Sequence, residues 1–235
     1  LRIEAEKINY TSDFTIYDTD DSKSLINSIV KELNLDSTSY PANAVLSRIS
    51  NAKSNIIPPA KYANNPVLLQ EDASQKRPHI YKIYETYVSR CRKAGAMDFD
   101  DMLYLLYALF IKNEEVLTKY RNKFKYVLVD EFQDTNQLQY KWLKLLAGAG
   151  TQNAAAVFAV GDDDQSIYAF RGAYSGNMRD FEHDFGISKV IKLEQNYRSH
   201  GNILDAANAL IENNSERLGK NLWTAEGKGE PLRVY

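Results

Sequence analysis

The sequence is poor in cysteine, has no long apolar run and is nearly balanced in charge. Cys91 is the single cysteine among 235 residues, which excludes a disulfide within the chain and favours a reducing compartment. No apolar stretch approaches the roughly 20 residues that a membrane-spanning helix needs, and no signal-peptide pattern opens the chain. These absences predict a cytoplasmic protein with no membrane partner.

The charge balance gives the chain little general attraction for nucleic acid. It has 29 basic and 31 acidic residues, for a formal net charge of −2. Contact with a phosphate backbone would therefore have to be local, and the bulk charge neither supports nor excludes it.

Three well-known catalytic patterns are also missing. There is no Gly-x-x-x-x-Gly-Lys-Ser/Thr run, so the loop that cradles nucleotide phosphates in many NTPases is absent from the sequence. Besides Cys91, only His79, His183 and His200 offer nitrogen or sulfur metal ligands, and their spacing matches no zinc site. Nothing suggests a Ser-His-Asp hydrolase.

The first part of the chain has a helical pattern. Residues 1–95 are predicted to form helices joined by polar loops. Residues 54–78 hold four of the six prolines and are predicted to be a loop or a broken segment. The chain begins at Leu1, without methionine and directly within a helical pattern, which predicts an internal piece of a longer protein.

The pattern changes after Gly95. Three short apolar runs, at residues 126–129, 157–160 and 190–193, are predicted to be buried strands. Helical patterns lie between and after them, at residues 138–146, 178–185 and 203–211. Strands that alternate with helices at a spacing of roughly 30 residues are typical of βα units. We therefore predict an α/β fold with parallel strands.

A polar cluster follows each predicted strand, where the ligands of open parallel sheets bind. Asp130 and Glu131 come directly after the first strand. An aspartate there can hold Mg²⁺, often through a water, and a neighbouring glutamate can take a proton from an attacking water. An acidic pair in a solvated turn would explain the same two residues without any chemistry.

The cluster after the second strand combines an amide, two aromatic rings and a guanidinium. Gln165 can orient a water or contact a terminal phosphate, or it can simply complete a turn. Tyr168, Phe170 and Arg171 offer two flat faces and a cation, which single-stranded DNA binding requires. Packing of the two rings in the core is the alternative interpretation.

The cluster after the third strand contains Tyr197 and Arg198. An arginine that faces a nucleotide from a neighbouring lobe can stabilise charge on the transferring phosphoryl group. Otherwise Arg198 would be an ordinary surface residue, which is the interpretation we favour for Arg217 and Lys220.

Taken together, these clusters resemble the middle motifs of the UvrD/PcrA/Rep-type superfamily-one DNA helicases. Residues 128–136 (LVDEFQDTN) resemble the Walker B motif of that family, residues 160–173 its third motif and residues 193–199 its fourth. Residues 97–103 fit the helix that precedes Walker B, and short stretches after residue 206 are similar to the UvrD branch. The resemblance is strong over residues 97–235 and weaker before them.

The resemblance implies a partial RecA-like P-loop NTPase lobe, with helices on a parallel sheet, plus an all-helical insertion subdomain. Residues 1–95 would be the insertion (1B-like), residues 96–186 the later part of the first lobe (1A-like) and residues 187–235 the start of the second lobe (2A-like). The third predicted strand would then belong to a different sheet from the first two.

The resemblance also implies roles for individual residues in ATP hydrolysis. Asp130 would coordinate Mg²⁺ through water, and Glu131 would be the general base that activates the hydrolytic water. Gln165 would sense the γ-phosphate and relay its state to the DNA site, and Gln133 would belong to the ATP site with it.

On the same resemblance, two residues face the nucleotide from the second lobe and three contact DNA. Tyr197 would stack on adenine, and Arg198 would act as an arginine finger across the cleft. Tyr168, Phe170 and Arg171 would contact single-stranded DNA. Phe170 stands where the family usually has tryptophan, and a smaller face would weaken stacking that is worth about 1–3 kcal/mol per base.

The implied protein uses ATP and Mg²⁺ to move 3′ to 5′ along single-stranded DNA and to unwind duplex in repair or replication. Its partners would be single-stranded DNA, junctions of single- and double-stranded DNA, and repair proteins. This chain alone is predicted to be inactive, because Walker A and the last motifs are absent from it. Two alternatives remain: a Mg²⁺-dependent nuclease built from Asp130, Glu131 and residues 162–164, and a non-catalytic interaction module with the acids as surface groups.

Overall fold

The computed structural model describes most of the chain. The described residues are 1–152, 154–166, 173–174, 176–187, 189–214 and 217–233. Two small parallel sheets and the helices around them make up this part. No helix within these ranges is long and apolar enough to cross a membrane.

Packed helices dominate the first 95 residues. A 3-10 helix at Arg2–Ile8 and a short strand, β1 (Thr15–Tyr17), come first. The helices that follow are α1 (Thr19–Glu32), α2 (Ala42–Ser54), α3 (Pro59–Ala63), α4 (Pro66–Ser74) and α5 (Ile80–Lys93). Their apolar faces share one core, which includes Ile26, Ile29, Val45, Ile49, Ile83 and Tyr87. The predicted helical pattern is confirmed for these segments.

Strand β1 departs from the predicted all-helical subdomain. It pairs in parallel with β2 (Ala96–Asp98), so that Ile16 lies opposite Met97. The prediction was wrong here because the partner of β1 lies beyond α5 in the sequence, and a three-residue strand has too few positions to show an alternating pattern. The pair joins the start of the chain to the residues that follow Gly95.

The proline-rich segment at residues 54–78 is broken rather than a loop, since it contains α3 and α4. Each of these helices has proline in its first turn, where the missing N–H is not needed and the fixed φ suits a helix. The Asn65 side chain caps α4 by accepting the backbone N–H groups of Val67 and Leu68.

A buried ion cluster joins α2 to α6 (Phe99–Lys112). The Asp98 side chain caps α6 by accepting the backbone N–H of Asp101 at 2.6 Å. Lys53 Nζ lies 2.6 Å from Asp98 Oδ2 and 2.8 Å from Asp101 Oδ1, and the lysine is only 1% exposed. Burial disfavours the charged lysine, but attraction to the two carboxylates outweighs it and raises the pKa of Lys53.

The protonation of Asp101 predicts a pH dependence of stability. Burial raises the pKa of Asp101 to about 6, above the value of about 4 expected for an unfolded aspartate. The raised pKa contributes stability that is fully present below about pH 4 and is lost as the pH rises through about 6. We therefore expect the free energy of unfolding of the wild type to fall relative to Asp101→Asn between about pH 4 and pH 7, as measured by urea unfolding. A difference that stays constant over this range would contradict the raised pKa.

Beyond α6 the chain alternates between helices and strands. The elements are α7 (Glu114–Lys123), β3 (Tyr126–Val129), α8 (Gln137–Ala147), β4 (Ala156–Ala159), α9 (Gly176–Asp184) and α10 (Gly201–Ile211). Strands β3 and β4 are parallel, in register from Tyr126 opposite Ala156 to Val129 opposite Ala159. The first two predicted strands, their parallel arrangement and the three predicted helices are confirmed.

The third predicted strand, residues 190–193, is wrong. These residues form no strand, and their three apolar side chains are exposed. A strand needs a neighbour with which to exchange backbone hydrogen bonds. Among the described residues near this run, an isolated β-bridge pairs Gln195 with Trp223, and one such pair does not make a strand.

The sheet of β3 and β4 is covered on one face only. Phe132 and Tyr140 belong to the buried cluster beneath it, together with residues of α8 and α9. On the opposite face Tyr126, Leu128 and Phe158 are exposed, so the prediction that these strands are buried was wrong for this face. The covered face is the one that supports the residues at the carboxyl ends of the strands.

Candidate functional site

The carboxyl end of β3 leads directly into two exposed acidic residues. Asp130 Oδ1 accepts the backbone N–H of Glu131 at 2.9 Å, and Glu131 has φ 48° and ψ 45°, in the left-handed region. The next residue, Phe132, is fully buried and donates its backbone N–H to Val160 O at 2.9 Å. The turn is thereby fixed to the end of β4, and Asp130 and Glu131 lie at the carboxyl edge of the sheet, as the sequence predicts.

Gln133 bridges the ends of the two strands. Its side chain is buried; Nε2 donates to Glu131 Oε2 at 2.7 Å, and Oε1 accepts the backbone N–H of Asp162 at 3.0 Å. A Cβ added at Gly161 would lie 2.7 Å from Gln133 Oε1 and 3.2 Å from Phe132 N, so this close approach requires glycine. Gln133 was predicted to belong to the nucleotide site, but its bridging position was not predicted.

A hydrogen-bonded chain continues from Gln133 to Gln165. Gln165 lies at the end of a 3-10 helix, Asp163–Gln165, and its Nε2 donates to Asp162 Oδ2 at 2.6 Å. Glu131, Gln133, Asp162 and Gln165 are thus linked in sequence by hydrogen bonds. The structure thus brings together Glu131 and Gln165, which the sequence pattern singled out separately, and Gln133, which the resemblance placed in the ATP site.

The three consecutive aspartates after β4, which we call the acidic triplet (Asp162, Asp163 and Asp164), have carboxylate oxygens within 4.8 Å of one another. Each carboxylate is engaged by the segment of residues 217–220. The Arg217 guanidinium donates two hydrogen bonds to Asp164, at 2.9 and 2.6 Å.

The other two carboxylates of the acidic triplet contact the same segment. Asp163 Oδ2 accepts the backbone N–H of Leu218 at 2.6 Å, and Lys220 forms an ion pair with Asp162. Burial works to raise the pKa of Asp162, but hydrogen bonds from Lys220 and Gln165 outweigh it and hold the pKa below its usual range.

The interpretation of Arg217 and Lys220 as ordinary surface residues was therefore wrong. Their side chains are 14% and 19% exposed, and both contact the acidic triplet. Ion pairs between residues this far apart in sequence leave no local pattern. The acidic triplet itself was the signal available in the sequence, because three consecutive carboxylates require compensating cations if the fold buries them even in part.

Tyr197 and Arg198 lie on a turn that is held by hydrogen bonds of Asn196. Asn196 Oδ1 accepts the N–H groups of Arg198 and Ser199, both at 2.8 Å, and Asn196 N donates to Trp223 O at 2.7 Å. Tyr197 and Arg198 are exposed and are not members of the chain from Glu131 to Gln165. The structure does not bring them into contact with that chain.

The three predicted DNA-binding residues, Tyr168, Phe170 and Arg171, lie outside the described residues. The positions that flank them contact the turn after β3. Ser166 Oγ lies 3.5 Å from Gln133 O, and Ala173 forms an antiparallel bridge with Asn136.

This arrangement supplies the groups for acid–base chemistry on a charged ligand. Asp130 and Glu131 offer the hard oxygen ligands that Mg²⁺ prefers. The Gln133 hydrogen bond engages one oxygen of Glu131, and the other can accept a proton. Arg217, Lys220 and the backbone N–H of Leu218 engage the three carboxylates of the acidic triplet, which makes them less available as metal ligands and weakens the nuclease alternative.

Two family models match the chain, in adjoining ranges. The model of the UvrD/REP helicase N-terminal domain matches residues 1–186. The model of the UvrD-like helicase C-terminal domain matches residues 191–235.

Curated relatives match over the whole chain. DNA helicase II of Haemophilus influenzae is 43% identical over 236 residues, and DNA helicase II of Escherichia coli is 42% identical over 237 residues. The ATP-dependent DNA helicase PcrA of Leuconostoc citreum is 40% identical over 235 residues. The chain spans 31%, 31% and 30% of the length of these three relatives. With both family models in order and the acidic pair, the bridging glutamine and Gln165 held together at the strand ends, the chain belongs to the UvrD-type DNA helicase family.

Proposed function

We propose that the chain is an internal part of an ATP-dependent DNA helicase that moves 3′ to 5′ along single-stranded DNA and unwinds duplex in repair or replication. The observation that carries the proposal is the hydrogen-bonded chain from Glu131 through Gln133 and Asp162 to Gln165. The relatives are named as DNA helicases, and one of them as ATP-dependent, which supports the same activity.

In this proposal the residues after β3 perform hydrolysis. Asp130 would hold Mg²⁺ through water, and the ion would neutralise charge on the phosphates. Glu131 accepts the proton of the attacking water, and Gln133 fixes the direction of its carboxylate. Gln133 thus acts in the ATP site through Glu131, while Gln165 contacts the γ-phosphate.

The remaining roles concern adenine, the transition state and DNA. Tyr197 stacks on adenine, and Arg198 stabilises charge on the transferring phosphoryl group. Tyr168, Phe170 and Arg171 contact single-stranded DNA. Gln165 lies only three residues before Tyr168 in the chain. A movement of Gln165 at the γ-phosphate therefore reaches the DNA-contacting residues through a short stretch of backbone.

We further propose that residues 1–95, 96–186 and 187–235 correspond to the 1B-like insertion, the 1A-like lobe and the start of the 2A-like lobe. The sequence contains no Gly-x-x-x-x-Gly-Lys-Ser/Thr run, and phosphate cradling supplies much of the affinity for NTPs. The chain alone is therefore expected to be inactive in ATP hydrolysis. The intact helicase would act in the cytoplasm on single-stranded DNA and its junctions with duplex, together with repair proteins.

Unwinding by the intact protein tests the proposal. With ATP and Mg²⁺, a duplex with a 3′ single-stranded tail should be unwound, and the matched duplex with a 5′ tail should not. Omission of ATP should abolish the reaction. Cleavage of either DNA by Mg²⁺ without ATP would replace the helicase with the nuclease alternative, and an absence of DNA-dependent ATP hydrolysis would favour the interaction module.

A further inference from the structure

The end of β4 and the segment of residues 217–220 meet through ion pairs that the proposed function does not use. We propose that Arg217 and Lys220 are positioning residues for Gln165, which they hold in place by clamping the acidic triplet. The proposal rests on the proposed ATP hydrolysis, in which Gln165 contacts the γ-phosphate.

The contacts between the two segments form an ordered set. Consecutive aspartates meet partners in reverse order along the other segment, with Asp164 on Arg217, Asp163 on the backbone of Leu218, and Asp162 on Lys220. This arrangement fixes the register of one segment against the other, which a single ion pair would not do.

The Arg217 pair is the geometrically specific member. Arg217 Nε and one terminal nitrogen contact the two oxygens of Asp164, and the two side chains are 14% and 10% exposed. Two parallel hydrogen bonds from a planar guanidinium define orientation as well as distance, and a lysine cannot reproduce them. The same terminal nitrogen also donates to Lys220 O at 3.1 Å, which ties the two basic residues together.

Asp162 transmits the clamp to Gln165. Its carboxylate contacts Lys220 on one oxygen and Gln165 Nε2 on the other, at 2.6 Å for the glutamine. Its backbone N–H donates to Gln133 Oε1, and the oxygen that contacts Lys220 also accepts the backbone N–H of Asp164 at 3.1 Å. Loss of Lys220 would remove the cation from this oxygen, leave it on the Asp164 N–H alone, and so loosen the carboxylate that orients Gln165.

The clamp also crosses between the two matched domains. The acidic triplet lies in the range matched by the N-terminal domain model, and residues 217–220 lie in the range matched by the C-terminal domain model. Arg198 belongs to that second range as well. The clamp therefore couples the segment that carries Gln165 to the segment that carries the proposed arginine finger.

The test uses the intact protein with Lys220→Met and Arg217→Lys, and with the charge-swapped pair Asp164→Arg/Arg217→Asp. Lys228→Met is the matched control, because Lys228 forms an exposed ion pair with Asp205 in the same part of the chain. The measurements are kcat and KM for ATP with saturating single-stranded DNA, together with the thermal unfolding temperature of each variant.

We expect Lys220→Met and Arg217→Lys to lower kcat by roughly 10-fold or more, as loss of a supporting residue around a catalytic group typically does, with KM for ATP little changed. The charge-swapped pair should have a higher kcat than Arg217→Lys. The kcat of Lys228→Met should match that of the wild type. Wild-type kcat in folded Lys220→Met, or a loss in Arg217→Lys that the swap does not relieve at all, would overturn the clamp. No DNA-stimulated hydrolysis in the wild type would instead overturn the proposed function.

Discussion

Replacement of Glu131 by glutamine is expected to reduce DNA-stimulated ATP hydrolysis by the intact protein about 10²- to 10⁴-fold, the range for loss of a general base. Glutamine has nearly the same shape and can still accept the hydrogen bond from Gln133 Nε2, but it cannot take a proton from water. The measurement is the steady-state rate of phosphate release with single-stranded DNA. DNA affinity, measured separately by fluorescence anisotropy, should be kept.

Glu115→Gln is the matched control for this experiment, because Glu115 is an exposed residue of α7 and should tolerate the same chemical change. Its rate should equal that of the wild type. Robust hydrolysis by Glu131→Gln would remove Glu131 from the role of general base. A loss of DNA binding equal to the loss of rate would point to a disrupted fold instead.

Replacement of Lys53 by methionine is expected to destabilise the chain by about 3–5 kcal/mol, the usual cost of removing one partner from a buried ion pair. Methionine fills much of the same volume but leaves Asp98 and Asp101 in the interior without their cation. The shift in the urea midpoint, followed by circular dichroism, measures the effect. The helical part of the chain should unfold first, because α2 would lose its tie to α6.

Lys23→Met provides the comparison, since Lys23 forms a longer ion pair with the exposed Asp20 at 3.8 Å. Exposed pairs contribute about 0–1 kcal/mol, so this variant should unfold close to the wild type. Equal midpoints for Lys53→Met and Lys23→Met would show that the buried cluster contributes nothing beyond an exposed pair.

Local patterns in the sequence were sufficient to predict β3 and β4. They also predicted that the acidic residues after β3 lie at the carboxyl edge of the sheet. Apolar runs of four residues bounded by polar clusters define both strands, and parallel strands place their carboxyl ends together. The buried Lys53 also had a signal, because it lies four residues after Ile49 on the face of α2 that enters the core. A lysine at such a position requires buried acidic partners.

Other features depend on contacts between distant residues, which no local pattern records. β1 is a strand because β2 lies beside it, and residues 190–193 are not a strand in spite of their apolar composition. The pairing of Arg217 with Asp164 joins positions 53 residues apart. Such contacts are decided by tertiary packing, so propensity and periodicity gave the wrong answer at these positions.

The backbone of Glu131 has a consequence for how this position can vary. With φ at 48° the residue adopts a conformation that costs an L-residue with a side chain about 1–2 kcal/mol relative to glycine. Selection for heat resistance alone would therefore favour glycine or asparagine at position 131, and selection for turnover would retain glutamate. β-Branched residues would satisfy neither requirement. In the proposed mechanism, thermostability and catalytic rate therefore conflict at this single residue, and an engineered variant of this chain would have to gain its stability elsewhere.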